Sequence, residues 1–366
     1  MTQRTRYFFA AAAVILVAGI GVGLVAYYRT SRQAVIPAGL PGELRYVPAN
    51  AELVAFADVK TVMNSELRRE LERSTMGPRR GRSDMHEFAG IDVEKQVNHI
   101  VAYLAKIENG SPAVQRGQPA PPTESGASRP EGPPRGLLIA QGTFEQAKVE
   151  QHLREQGGAI DDYHGKHLAI RRAVPENDVD KEMAVGFLQP NLIALGQADL
   201  VRAAIDLSAN TSPAANVTSN AEVMNLVRDA AGDTAWVVGH FDAVTRRIGV
   251  PAAMRQQVPP LRMVAAKAMI NGGVKATIRA ETADEAAADQ LRDVIRGFIS
   301  LIRLKGGVKP EMQEMLKSIE LGGRGTTVQL SFAMSAETFR AVVPPPRNDV
   351  PPVRAVPPAP PAPPRP

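Results

Sequence analysis

The stretch "DDYHGKH" sets Asp161, Asp162, His164 and His167 within seven positions of a 366-residue chain that holds only six histidines. Carboxylates and imidazoles at this density can ligate zinc or manganese, or pass protons as an acid/base pair, so a metal-dependent hydrolase is one chemistry the stretch offers. The local pattern offers another reading. His164-Gly165 suits a two-residue hairpin turn, with glycine supplying a positive φ at the second position and histidine tolerated at the first. Tyr163 then faces Lys166, Asp162 faces His167 and Asp161 faces Leu168. Alternation sets Leu168 and Ile170 on one face, with His167 opposite Asp162 on a solvent face and His164 at the tip. The stretch is then a turn with one Asp/His cross-strand pair instead of four convergent ligands.

Other chemistry-bearing residues are more isolated. "His86-Glu87" opens like a zinc-protease helix, but position 90 is Gly where a second histidine must stand. Asp58 and Asp242 close the apolar runs "VAFAD" and "VGHFD", where a carboxylate can be catalytic or can accept amide hydrogen bonds from the next helix; capping is the simpler role. Trp236 lies in an apolar run and belongs to a core. No nucleophile elbow, phosphate-binding loop or dinucleotide fingerprint is present in the soluble part, and the absence of cysteine removes thiolate chemistry and disulfides. No catalytic, cofactor-binding or metal residue is therefore assigned, no cofactor is expected, and the chain is read as non-enzymatic.

The elements that would carry these residues alternate between strand and helix. Strands are expected at "ELVAFADVK" (52–60), "HIVAYLAKI" (99–107), "RGLLIAQG" (135–142) and "TTVQLSFAMS" (326–335). Hairpins are expected at 159–172, at 182–196 and at 264–281, the last with Asn271-Gly272 as its turn. Helices are expected over 61–74, 84–97, 143–158, 198–208, 220–230, from Thr282 onward and near 311–317. Thr143 with Gln146, and Thr282 with Glu285, have capping-box spacing. Residues 108–135 are proline- and glycine-rich and poor in apolar side chains, which marks a disordered insertion between strands.

"IAQGTFEQAKVEQ" from Ile139 and "IRAETADEAAADQ" from Ile278 share Ile, Thr, Ala and Gln at an offset of 139. With the recurring element order, this predicts an α+β protein of two related units, each an antiparallel sheet backed by helices, with ferredoxin-like repeats as one form. The units span 36–212 and 213–343. The "VPANAELVAFADV" opening, the strand-helix unit, the "Y-x-G-x-x-L" hairpin in "YHGKHL" and a lone N-terminal anchor together resemble a group of uncharacterised exported bacterial proteins classed as domains of unknown function. The resemblance spans about residues 45–340 and implies an envelope location without an activity.

Residues 7–28 run 22 positions without a charge, enough at ~1.5 Å per residue to cross a ~30 Å hydrocarbon core, with Tyr7, Tyr27 and Tyr28 at the interfaces. A cleaved signal peptide is the rival reading; its apolar region is usually shorter and ends in small residues, whereas Tyr-Tyr-Arg follows here. Residues 1–35 are read as a transmembrane anchor and linker, with the amino terminus inside and the rest in the periplasm or outside the cell. Gly19 and Gly23 offer a close-packing seam for a homodimer.

The net charge of +5 does not make the globular part basic. The N-terminal arginines contribute +4 and the tail +2, leaving residues 33–343 at about −1 and a nucleic-acid partner without electrostatic support. The tail at 344–366 carries twelve prolines and favours extended polyproline or disorder. These features point to a membrane-anchored binding or scaffold module of the bacterial cell envelope with an envelope protein as partner. A carrier of lipid or another apolar ligand, fitting the Ala/Val/Met-rich interior, is the alternative.

Overall fold

A computed structural model describes residues 40–69, 89–106, 135–172, 182–209, 215–243, 259–304 and 310–342. The strands are β1 (Leu53–Asp58), β2 (Val97–Leu104), β3 (Gly136–Gly142), β4 (Ala159–Tyr163), β5 (Lys166–Arg172), β6 (Glu182–Gln189), β7 (Leu192–Gln197), β8 (Ala235–His240), β9 (Leu261–Ile270), β10 (Gly273–Thr282), β11 (Glu320–Gly322) and β12 (Thr327–Ser335). All join one sheet in the order β11-β12-β10-β9-β8-β1-β2-β3-β7-β6-β5-β4, with antiparallel neighbours throughout. The α helices are α1 (Val59–Asn64), α2 (Val93–Gln96), α3 (Gln146–Glu155), α4 (Ala198–Ser208), α5 (Ala221–Ala230), α6 (Glu285–Leu304), α7 (Pro310–Lys317) and α8 (Ala336–Val342). The α+β class and the antiparallel pairing are as the sequence predicts. In place of two sheets there is one.

The seam is the β1–β8 pair, in which Phe56 faces Trp236 with their rings stacked 5.7 Å apart. Each strand would otherwise be an edge with a row of unpaired N–H and C=O groups, and pairing them satisfies both rows. The two faces of the sheet differ in cover. On the front, side chains of β1, β2, β3, β5 to β9 pack under the 3₁₀ turn Gly42–Tyr46, α4 and α5, in a core that includes Leu44, Ile139, Leu168, Val201, Val227 and Trp236. On the back, α1 and α3 cover the N-terminal half through Met63 and Leu153, and α6 to α8 cover the C-terminal half. Removing a side chain such as Leu153 from water contributes about 1.5–3 kcal/mol.

Several local expectations shift. The helix expected at 61–74 begins at Val59 and breaks at Ser65, whose hydroxyl donates to the Val62 carbonyl and accepts from the Arg68 amide. Residues 66–69 are helical again. Neither capping box forms. Thr143 donates its amide to the Gln96 carbonyl, and α3 starts after Glu145 without a side-chain cap. Thr282 remains in β10, tied to Thr326, and Asp284 accepts the Ala287 amide at 2.8 Å instead.

The expected anchor at 7–28 with Gly19 and Gly23, the zinc-like His86-Glu87, all but Arg135 of the 108–135 insertion, and the tail from 344 lie outside the described residues. Among the described residues no helix is long and apolar enough to cross a membrane.

Candidate functional site

The β4–β5 hairpin adopts the predicted register, with Tyr163 facing Lys166, Asp162 facing His167 and Asp161 facing Leu168. His164 has φ 52° and Gly165 φ 72°, the two positive values of a type I′ turn. Asp162 stabilises this turn by accepting the Gly165 amide at 3.1 Å. The candidate ligands, all four exposed, then part company, because a different helix approaches each face of the hairpin.

On the front, α4 meets the tip. The Tyr163 hydroxyl donates to Asp206 Oδ2 at 3.1 Å, His164 Nδ1 lies 3.7 Å from Asp206 Oδ1, and the Tyr163 and His164 rings stack 4.4 Å apart. Arg202 lies 3.6 Å from Asp161 and sits against the Tyr163 ring. On the back, α3 meets His167, whose Nδ1 lies 2.9 Å from Glu150 Oε1. Gln146 donates to the same oxygen at 2.7 Å, and Arg154 donates to Oε2 at 3.1 Å. Burial pushes the Glu150 carboxyl up, but these bonds and the neighbouring His167 and Arg154 charges bring it below the usual carboxylate range. His167 and Asp162 stay exposed, as the alternation predicts, but His167 is not free in solvent: it leans on Glu150 of α3.

His164 and His167 serve opposite faces, so the geometric basis of a four-ligand centre is gone. Among the described residues no three His, Asp or Glu side chains are grouped to hold a metal ion. Asp58 is a cap, accepting the Thr61 amide at 2.8 Å and the Thr61 hydroxyl at 2.7 Å. Asp242 falls inside the helical residues 241–243 and not at the residue preceding them. Trp236 is buried as expected.

Two features have no local sequence signal. His99 Nε2 lies 3.1 Å from Glu43 Oε1, off the line of a well-formed hydrogen bond, and the His99 ring is 5.6 Å from Phe56. Burial pushes the Glu43 carboxyl up, yet His99, the local backbone amide and Arg45 hold it below its ordinary value. The pair fastens the 3₁₀ turn to β2 across 56 positions of sequence. The second feature is a half-open cavity of about 500 Å³ beside the β9–β10 turn, lined by Met269, Val274, Met315 and Met334 with Lys275 and Glu314.

The front of the C-terminal half supplies a surface. On β10 and β12 the front positions are Lys275, Thr277, Arg279 and Glu281 facing Ala333, Ser331, Gln329 and Thr327. All are exposed or half-buried, and the Thr277 and Ser331 hydroxyls lie 3.2 Å apart. The helices of the C-terminal back clusters lie on the other side of the sheet, while the end of α5 reaches the strip at Arg279, whose Nη1 is 3.8 Å from Asp229 Oδ2. Arg279 also pairs with Glu281, which accepts from the Thr327 hydroxyl. The strip presents hydroxyls, an amide and charges of both signs.

No family model and no curated protein matches the chain. Two solved structures, crystal forms III and I of TP0453, are similar to 84% and 85% of the chain and to 98% of their own, with TM-scores of 0.45 and 0.42 and identities of 9% and 10%.

Proposed function

We propose that this chain is a single-pass, membrane-anchored protein of the bacterial cell envelope that works as a binding or scaffold module. Residues 7–28 would hold it in the cytoplasmic membrane with the sheet on the outer side, and Gly19 and Gly23 would let two anchors pack closely. The observation that carries the binding role is the polar, partly exposed front of β10 and β12, from Lys275 to Glu281 and from Thr327 to Ala333. A sheet face left largely open beside helix-covered ones can present its polar side chains to a partner, and their mixed charge would suit the polar surface of another envelope protein.

The strand order supports two related units. β1-β2-β3-β7 and β8-β9-β10-β12 follow the same arrangement, each with a helix between its third and fourth members. Ile139 and Ile278, the start of the internal match, both lie within the third strand.

The test is photocrosslinking in native membranes from the full-length protein carrying the crosslinker at position 277 or 329, with Gln151 on α3 as a control. The reading expects the same partner band from the two sheet positions, none from the control, and loss of the band from position 329 in Thr277→Arg plus Ser331→Arg. Equal labelling from all three positions would sink it.

The methionine-lined cavity favours a second reading, a carrier of lipid or another apolar ligand, since thioether side chains adapt to irregular apolar shapes. Mass spectrometry of organic extracts of the purified protein tests it, and a clean extract counts against it.

A further inference from the structure

The sheet ends differently on its two sides. At one end β11 is three residues long, and beyond it the edge of β12 is closed by Ser318, whose hydroxyl accepts the Ala333 amide at 2.9 Å and donates to the Ala333 carbonyl at 2.8 Å. At the other end β4 is the last strand, and no described strand pairs with its outer side. The two-residue turn makes Tyr163 and Lys166 a hydrogen-bonded pair, so Tyr163, Asp161 and Ala159 direct their backbone groups inward to β5. Ile160 and Asp162 therefore direct their N–H and C=O groups outward, which is the template for an added strand.

The charge on this edge selects what can add. Asp161 and Asp162 are exposed and point to opposite faces, with Arg202 near Asp161 and the Gly165 amide on Asp162. Lys166, the other cation of the turn, is turned away to the Leu188 carbonyl. A second copy docking β4 against β4 antiparallel would set these acids against each other, and like charges across a strand pair are unfavourable. A strand with two consecutive basic residues would instead place one opposite each carboxylate.

We propose that β4 is a strand-addition site for an extended peptide segment carrying two adjacent Arg or Lys residues. This surface lies at the opposite end of the sheet from the polar strip of β10 and β12, and it stands whether or not that strip binds.

Fluorescence anisotropy with the full-length protein and a labelled peptide, Thr-Val-Arg-Lys-Val-Thr, tests it. The expected result is saturable binding that weakens about fivefold for each basic residue changed to Glu, is lost when alternate peptide amides are N-methylated, and is restored to a Glu-Glu peptide by Asp161→Lys plus Asp162→Lys. Ile160→Pro removes one outward amide without touching the inner ladder and should also abolish binding. Where that variant unfolds, the N-methylated peptide carries the same question. Ser331→Arg should leave peptide binding unchanged. Absence of binding, binding indifferent to N-methylation, or a dimer in sedimentation that Asp161→Lys breaks would each overturn the proposal.

Discussion

The two halves of the sheet solve the same problem with different amounts of cover. β6 and β7 lie between α3 on the back and α4 on the front, and most of their consecutive residues are buried. β10 and β12 are packed by helices on the back, with the end of α5 reaching the front at Arg279, and buried residues alternate with half-buried or exposed ones along much of each strand. A strand covered on both faces must be apolar throughout, while one covered on a single face can keep every second position polar. The difference shows where this molecule holds itself together and where it has surface left to offer.

That contrast can be broken most directly on the front of β7. Ala194→Lys puts a charge where both faces are closed, and denaturant unfolding should register a loss of more than about 4 kcal/mol. Equal tolerance there and on β12 would erase the distinction. Phe332→Ala probes the back of β12, which is as closed as the N-terminal half, and should cost about 3–5 kcal/mol by the same measurement. At the seam, Asp58→Ala frees the Thr61 amide and hydroxyl and should cost about 1 kcal/mol, with a lowered thermal midpoint.

The front cover should also respond to acid. The folded Glu43 carboxyl lies below its unfolded value, so its stabilisation is present above that unfolded value and is lost as pH falls through the folded one. Unfolding followed from pH 7 to pH 3 should therefore show a shallower acid limb in Glu43→Gln than in the parent; identical limbs would count against the His99 attachment. The smallest effect sharpens the comparison. Ser331→Lys on the open strip should change stability by no more than about 0.5 kcal/mol, and a larger loss would mean the strip is not free.

Turns illustrate how far the sequence alone can be read. His164-Gly165 is a weaker turn signal than Asn271-Gly272, yet it forms the type I′ turn, because Gly165 has only its own hairpin and the Asp162 carboxylate to satisfy. Asn271 and Gly272 keep negative φ in a longer connection, where the Asn271 carbonyl accepts the Leu67 amide and Glu66 approaches Gly272. A long-range contact overrides the dipeptide preference. The capping boxes failed for a related reason: Thr143 and Thr282 had backbone partners in neighbouring segments. The candidate metal cluster was legible as a turn, but its fate was not. That His167 finds Glu150 and His164 finds Asp206 depends on which helix covers which face.

The sequence by itself determined the α+β class, the antiparallel hairpins, the Asp58 cap and the alternation that marks β10 and β12, since each depends on residues within a few positions of one another. Tertiary structure alone decided that two expected sheets become one through β1 and β8, that Glu43 meets His99, and that β4 is left as the open edge. Those outcomes follow from satisfying backbone groups and burying faces between segments far apart in the chain, a choice that no local pattern encodes.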